Sequence, residues 1–161
     1  MNGRGADAGG GRAETLAERQ AGLVAALTAG APVPEGFDGR LVGVARVALL
    51  RKRAGDVAWQ WPLLAAGHGA EWTGTFARWA ARRPTNGSLR DGWDFARELG
   101  AALPALAGAE LAAREAEWRY DGTSAPRRRR GPAVRRAGGV VAVQIAGRVR
   151  VLRRTPAAGR A

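Results

Sequence analysis

The chain has 161 residues and a mass of 16.9 kDa; about half of it is Ala, Gly and Arg, with one Met, one His and no Cys. That length suits one domain with an appended tail, whose single core buries roughly two-thirds of the unfolded surface. Without cysteine there is no disulfide framework, thiolate metal site or cysteine nucleophile, and one histidine cannot build a multi-histidine centre, so metal-bound and cysteine-based catalysis are excluded first.

The net charge of +12 is unevenly placed. Residues 1–121 carry 15 basic and 14 acidic side chains, whereas residues 122–161 carry 11 arginines and no acid. A nearly neutral, sign-mixed body is therefore joined to a cationic extension whose field draws phosphates, acidic peptides or an acidic partner surface. No basic patch meets an apolar stretch of signal-peptide length near the N-terminus, and no run approaches the roughly 20 apolar residues of a membrane span, so a cytoplasmic protein is expected.

Residues 1–13 hold five glycines and little to bury, and are expected to be a disordered leader. Thr15 with Glu18 fits a capping box, and Leu16, Leu23, Val24 and Leu27 recur at helical spacing until Gly30 ends a first helix. A second, central helix is expected from Asp38 to Trp61, stopped by Pro62; it is apolar on most sides between Leu41 and Leu50, and Arg46, Arg53, Asp56 and Gln60 mark one polar stripe. A third begins near Ala70, with Trp72, Phe76 and Trp79 as its core edge.

Residues 83–87 are turn chemistry, and Ser88 with Asp91 is expected to cap a fourth helix whose inner stripe is Leu89, Trp93, Ala96, Leu99 and Leu103. A fifth helix is expected from Gly108 to Tyr120, with Glu110–Arg114 and Glu115–Arg119 as i,i+4 pairs and Ala109, Ala112, Ala113 and Ala116 allowing close packing. From Val140 to Leu152 the pattern alternates: Val141, Val143 and Ile145 on one side, then Arg148 and Arg150 against Val149 and Val151, with Ala146-Gly147 as the turn. The expected fold is mainly α, a bundle of about five helices followed by a short basic β-hairpin. Its parts are a leader (1–13), a helical domain (14–121), an Arg/Pro/Gly-rich linker (122–139), the hairpin (140–155) and a disordered tail (156–161).

Few residues offer chemistry. His68 in Gly67-His68-Gly69 lacks carboxylate neighbours at ligand spacing and reads as a loop or cap residue. Asp91, Asp94 and Glu98 read as an acidic, solvated stripe that complements a helix dipole. Glu115 and Glu117 are two apart, so they point to different sides of a helix and cannot pair as acid and base. Gly9-Gly10-Gly11 does not lie between a strand and a helix, so no phosphate loop is signalled. At least four of the six tryptophans fit core spacing, and a partly exposed one is a possible interface anchor.

What remains is arginine. The candidate binding residues are Arg51, Lys52 and Arg53, the run Arg127, Arg128, Arg129 and Arg130, and Arg148, Arg150 and Arg153. A guanidinium fork binds carboxylates and phosphates alike, so charge alone does not separate an acidic peptide from nucleic acid. None of the helices offers a clean set of polar side chains for base edges. The Arg/Val alternation of 148–151 fits an edge strand that pairs with an extended acidic segment.

The order of landmarks is Leu49-Leu50-Arg51-Lys52-Arg53, Trp61-Pro62, Arg83-Pro84, Ser88-Leu89, Phe95, Leu103-Pro104, and Glu110-Leu111 to Trp118. Over roughly residues 14–121 it resembles a family of small bacterial helical proteins designated as a DNA-binding domain, with the methanobactin accessory subunit as a relative. Members are often encoded beside multinuclear non-haem iron oxidases of barrel fold that modify ribosomally made peptides. The family's Tyr-Arg-Asn-Asn is here Leu50-Arg51-Lys52-Arg53 and its Phe-Pro is Trp61-Pro62, which suggests an actinobacterial subgroup. The resemblance implies a non-enzymatic accessory subunit without cofactor or metal, whose helical body docks on the oxidase and whose C-terminal strand region helps hold the precursor peptide. Arg148, Arg150 and Arg153 would then line the site for an acidic segment. The alternative is a DNA-binding regulator in which residues 127–130 contact phosphates.

Overall fold

The computed structural model describes residues 15–153, so the expected leader and tail lie outside the described residues. Helix α1 (Leu16–Ala29) starts on Thr15, whose hydroxyl accepts from the Glu18 N–H at 3.2 Å while the Glu18 carboxylate accepts from the Thr15 N–H at 2.7 Å. Gly30, at φ 72°, ends it in the left-handed conformation. Helix α2 (Gly39–Gln60) is capped by the Asp38 carboxylate, which accepts from the Arg40 and Leu41 N–H groups.

Pro62 does not simply stop the chain. It opens a short helix of its own, α3 (Pro62–His68), where a proline at the first position loses no helical hydrogen bond. Next come α4 (Trp72–Ala80), α5 (Ser88–Leu99) and α6 (Ala105–Glu117). The last starts earlier and ends sooner than the alanine periodicity suggested, because Trp118 and Arg119 leave the helix as a strand. No helix among the described residues is long and apolar enough to cross a membrane.

The core is an aromatic lattice between α2, α3, α4 and α5. Trp61, Leu64, Phe76 and Val57 have no exposed surface, and Trp93, Phe95 and Trp72 are buried beside them. Trp61 meets Trp93 edge-on at 5.7 Å, and Phe95 meets Trp72, Phe76 and Trp79 edge-on at 5.4–5.8 Å, the geometry ring quadrupoles favour. Buried indoles find carbonyls: Trp61 Nε1 donates to Leu89 O and Trp72 Nε1 to Ala54 O. Trp79 is only half-buried, so the expected aromatic edge of this helix is core at Trp72 and Phe76 and rim at Trp79.

The C-terminal region departs most from expectation: the fold is mainly α with a C-terminal β region, but the β region is not a single hairpin. Strands β1 (Trp118–Arg119) and β2 (Arg127–Arg128) form a two-stranded antiparallel ladder. Strands β3 (Ala133–Ala137), β4 (Val140–Ile145) and β5 (Arg148–Arg153) form a three-stranded meander in that order. The segment expected as a linker thus supplies two strands. Its Ala-Val-Arg-Arg-Ala sequence hides the strand because its inward side chains are two alanines and the half-buried Arg135, with no large apolar residue among them.

Smallness is what seats the sheet on α6. Ala112 and Ala116 of the helix and Ala142 of β4 are fully buried against each other, with Val149 and Ala137 at the margin. At the end of this seam two backbones touch: a Cβ on Gly108 would lie 2.6 Å from Gly138 Cα and 2.9 Å from Ala137 O. The turn 138–139 has φ 54° and 75°, the doubly positive pattern of a two-residue hairpin turn. Gly108→Ala is therefore expected to cost about 1–3 kcal/mol by overpacking, with faster amide exchange across β3–β5 than in α2. Unchanged sheet exchange would show that the seam is not what holds the sheet.

Candidate functional site

The register of the meander decides what it presents. Ala142 pairs with Arg135 and Val151, and Gln144 with Ala133 and Val149; Ala142 and Gln144 are buried toward α6. By the two-residue period of a strand, Val141, Val143 and Ile145 face outward. Opposite them stand Arg136 and Leu152, Val134 and Arg150, and Arg148, respectively. The outer face is thus an aliphatic row flanked by arginines on both sides. Arg136, Arg148 and Arg150 are exposed, and none enters an ion pair among the described residues.

Arg148 and Arg150 therefore share a face with Val141, Val143 and Ile145. The turn 146–147 sets Arg148 directly across from Ile145, which puts both side chains on one side of the sheet. Strand β5 lies at the edge, hydrogen-bonded to β4 alone among the described residues, so its other edge is open to a further strand. Arg153 closes β5, and its side chain lies outside what the structure describes. Arg136 was missed in the sequence because its strand was read as linker.

The run 127–130 splits in two. Arg128 pairs with Glu117 at 2.8 Å and lies over the Trp118 ring at 5.1 Å. Arg129 donates from Nε to Glu115 O and Trp118 O, and its N–H reaches Glu117 O at 2.8 Å, so it satisfies carbonyls at the end of α6. Burial, with the like charges of Arg135 and Arg119, lowers its pKa. Arg127 and Arg130 stay exposed.

The cluster on α2 also divides. Arg51 is exposed, and Lys52 pairs with Asp56 at 2.6 Å on the surface. Arg53 instead points inward with a side chain 12% exposed: Nε meets Asp91 at 2.8 Å, and Nη1 and Nη2 donate to Arg83 O and Pro84 O. Arg46 likewise donates to Ala81 O. The two arginines of the α2 stripe thus point inward and supply cations to the carbonyls just after α4, while Asp56 of the same stripe stays exposed.

Asp91 corrects two expectations, since it is neither cap nor solvated stripe. The N-cap of α5 is Gly87, and the buried Asp91 carboxylate accepts from Arg53, from the Thr85 hydroxyl at 3.0 Å and from the Asn86 N–H at 2.9 Å. Asp94 accepts from the Tyr120 hydroxyl at 3.0 Å, and burial followed by this bond pushes the Tyr120 pKa up to about 12. Glu98 holds Trp79 Nε1 and Arg83. Of the two expected i,i+4 pairs, Glu110–Arg114 forms at 3.5 Å, but Glu115 pairs with Arg97 at 2.7 Å because Arg119 has left the helix.

His68 ends α3 between Trp72 and Phe95, and burial lowers its pKa. Among the described residues no group of three His, Cys, Asp or Glu is placed to hold a metal ion. With Arg46 and Arg53 turned in, α2 shows solvent its apolar side: Leu41 and Val44 are 59% and 65% exposed, and Trp59 is 82% exposed. The signal in the sequence is the stretch from Leu41 to Leu50, apolar on most sides, which by itself suggests only a central helix.

The family model described as SCO6045-like, C-terminal domain, matches residues 17–101, from α1 through α5. A UPF0276 protein of Streptomyces avermitilis is 45% identical over 87 residues, which are 53% of this chain and 18% of that protein. The chain thus spans less than a fifth of the length of this curated relative, whose streptomycete source agrees with the expected actinobacterial subgroup. No solved structure matches the chain. By the extent of the model match, the chain belongs to the SCO6045-like C-terminal domain family.

Proposed function

We propose that this protein is a non-catalytic accessory subunit that docks on a larger, peptide-modifying metalloenzyme and helps hold that enzyme's acidic peptide substrate. The partner class is the multinuclear non-haem iron oxidase suggested by the sequence resemblance. The observation that carries the reading is the outer face of the meander, where Arg136, Arg148 and Arg150 flank Val141, Val143 and Ile145 beside the open edge of β5. An extended segment alternating acidic and aliphatic residues matches such a face: its main chain adds to β5, its carboxylates meet the guanidinium forks, and its aliphatic side chains cover the row.

Docking falls to the apolar side of α2, with Trp59 as its anchor. The Streptomyces relative supports a larger partner, because there the similar segment is a small part of a much longer chain.

Arg148→Glu with Arg150→Glu is expected to weaken capture of a labelled Glu/Val-alternating peptide at least tenfold by fluorescence anisotropy, roughly 1.4 kcal/mol or more, with far-ultraviolet circular dichroism unchanged. Equal affinity of the variant and the parent would remove the sheet from the site. Co-purification with the enzyme encoded alongside tests docking, and Trp59→Asp is expected to abolish it. A DNA-binding regulator is the second reading, favoured by the exposed Arg127 and Arg130. It requires duplex affinity that falls with salt at a log–log slope of about −0.9 per phosphate neutralised.

A further inference from the structure

We propose that the cleft bounded by the β1–β2 ladder and residues 130–132 is an oxyanion site that takes a phosphate group. Arg119, Arg127, Arg128, Arg129 and Arg130 line it, with Gly131 and Pro132 as its far wall. It lies off the meander, and the proposal stands whether or not the sheet holds a peptide.

The ladder itself is the first argument. Its register sets Arg119 directly opposite Arg127, and like charges facing each other across an antiparallel pair destabilise it. Behind them the half-buried Arg129 feels the charges of Arg119 and Arg135. The repulsion is only partly relieved from within: the charge of Glu115 acts on Arg129, and Asp121 lines a neighbouring hollow with Arg119 and Arg127. Among the described residues Glu117 is the one carboxylate ion-paired to the cluster, and it faces Arg128. Glu115 is engaged by Arg97. Asp121 accepts from the N–H groups of Thr123 and Ser124, closing its own turn, and those backbone bonds hold its carboxyl far below the usual range. An anion between the opposed guanidiniums turns the repulsion into two attractions.

The second argument is valence. Arg119, Arg127 and Arg130 reach the cleft from three points of the backbone, each with a planar fork of donors. One carboxylate satisfies one fork, whereas a phosphate presents more oxygens and close to two charges. The cleft, about 370 Å³ and open to solvent, admits a phosphate still attached to its carrier. Preorganisation is the third argument: the Arg129 N–H bond to Glu117 O and its Nε bonds to Glu115 O and Trp118 O pin the loop to the end of α6 before any ligand arrives.

The test titrates the full chain with sodium phosphate against sodium chloride at matched ionic strength and pH, by calorimetry and by thermal unfolding. A second arm uses a mixed-sequence single-stranded oligonucleotide lacking terminal phosphates. Saturable binding of inorganic phosphate, weakened at least tenfold in Arg119→Gln and in Arg127→Gln but unchanged in Arg148→Gln/Arg150→Gln, is the expected result. Without phosphate, the first two variants are expected to melt at or above the parent temperature, which a merely structural role for these arginines would not allow. Oligonucleotide binding with the same dependence on Arg119 and Arg127 assigns the phosphate to a nucleic-acid backbone; phosphate binding alone assigns it to a free or terminal group. Phosphate acting no differently from chloride, or equal losses in the Arg148/Arg150 variant, overturns the proposal.

Discussion

Asp91→Ala is expected to cost about 3–5 kcal/mol in urea-induced unfolding, more than any surface substitution in this chain. Removing the carboxylate leaves the Arg53 guanidinium charged at a site 12% exposed, with the neutral carbonyls of Ala80, Arg83 and Pro84 but no counter-charge. It also strips the Thr85 hydroxyl and Asn86 N–H of their acceptor. Those three donors come from α2 and from the turn between α4 and α5, so one side chain ties three elements. The cost belongs to the broken pair rather than to the lost contacts: a double change to Arg53→Met and Asp91→Leu is expected to recover at least half of it, since packed apolar side chains suit such a site. If Asp91→Ala alone stayed within about 0.5 kcal/mol of the parent, the buried pair would have to be solvated and the inward assignment of the α2 stripe would fall.

That stripe shows where a sequence pattern misleads. Arg46 and Arg53 recur at helical spacing among apolar residues, and a periodic charged line normally marks the solvent side. Here the partners are carbonyls at the end of α4, which no pattern within α2 announces. Turning the cations inward turned Leu41, Val44 and Trp59 outward, so one misreading hid the candidate docking face as well. Local chemistry was legible: the Thr15 capping box, the Gly30 stop and the Ala146-Gly147 turn depend on residues a few positions apart. Strand β3 was not. Two of its three inward residues are alanines matched to an alanine seam on α6 and the third is the half-buried Arg135, which leaves no hydrophobic alternation to read. For the same reason the outer face kept its Val141, Val143 and Ile145, which alternation alone assigns to a core.

Trp61→Ala is expected to cost about 3–5 kcal/mol, while Trp59→Ala, two residues earlier, stays within about 0.5 kcal/mol. Trp61 has no exposed surface and sits where α2 hands over to α3. One side of its ring carries the Arg114 guanidinium at 4.3 Å, and Gly92 lies so close that a Cβ there would enter the indole. Truncation therefore opens a cavity, takes the aromatic partner from Arg114 and leaves Leu89 O without its donor. The effect reaches the sheet through α6: Arg114 also donates to Gln60 O, and the Glu110 carboxylate accepts from the Leu64 N–H at 2.9 Å. Loosening these bonds frees the helix on which β3, β4 and β5 rest. Hydrogen exchange in Trp61→Ala should accordingly rise in α6 and in the meander together with the core, and peptide capture should weaken although no binding residue has changed. A variant that melted early yet kept parental exchange in the meander would make the sheet an autonomous unit, and the helical body would no longer position it.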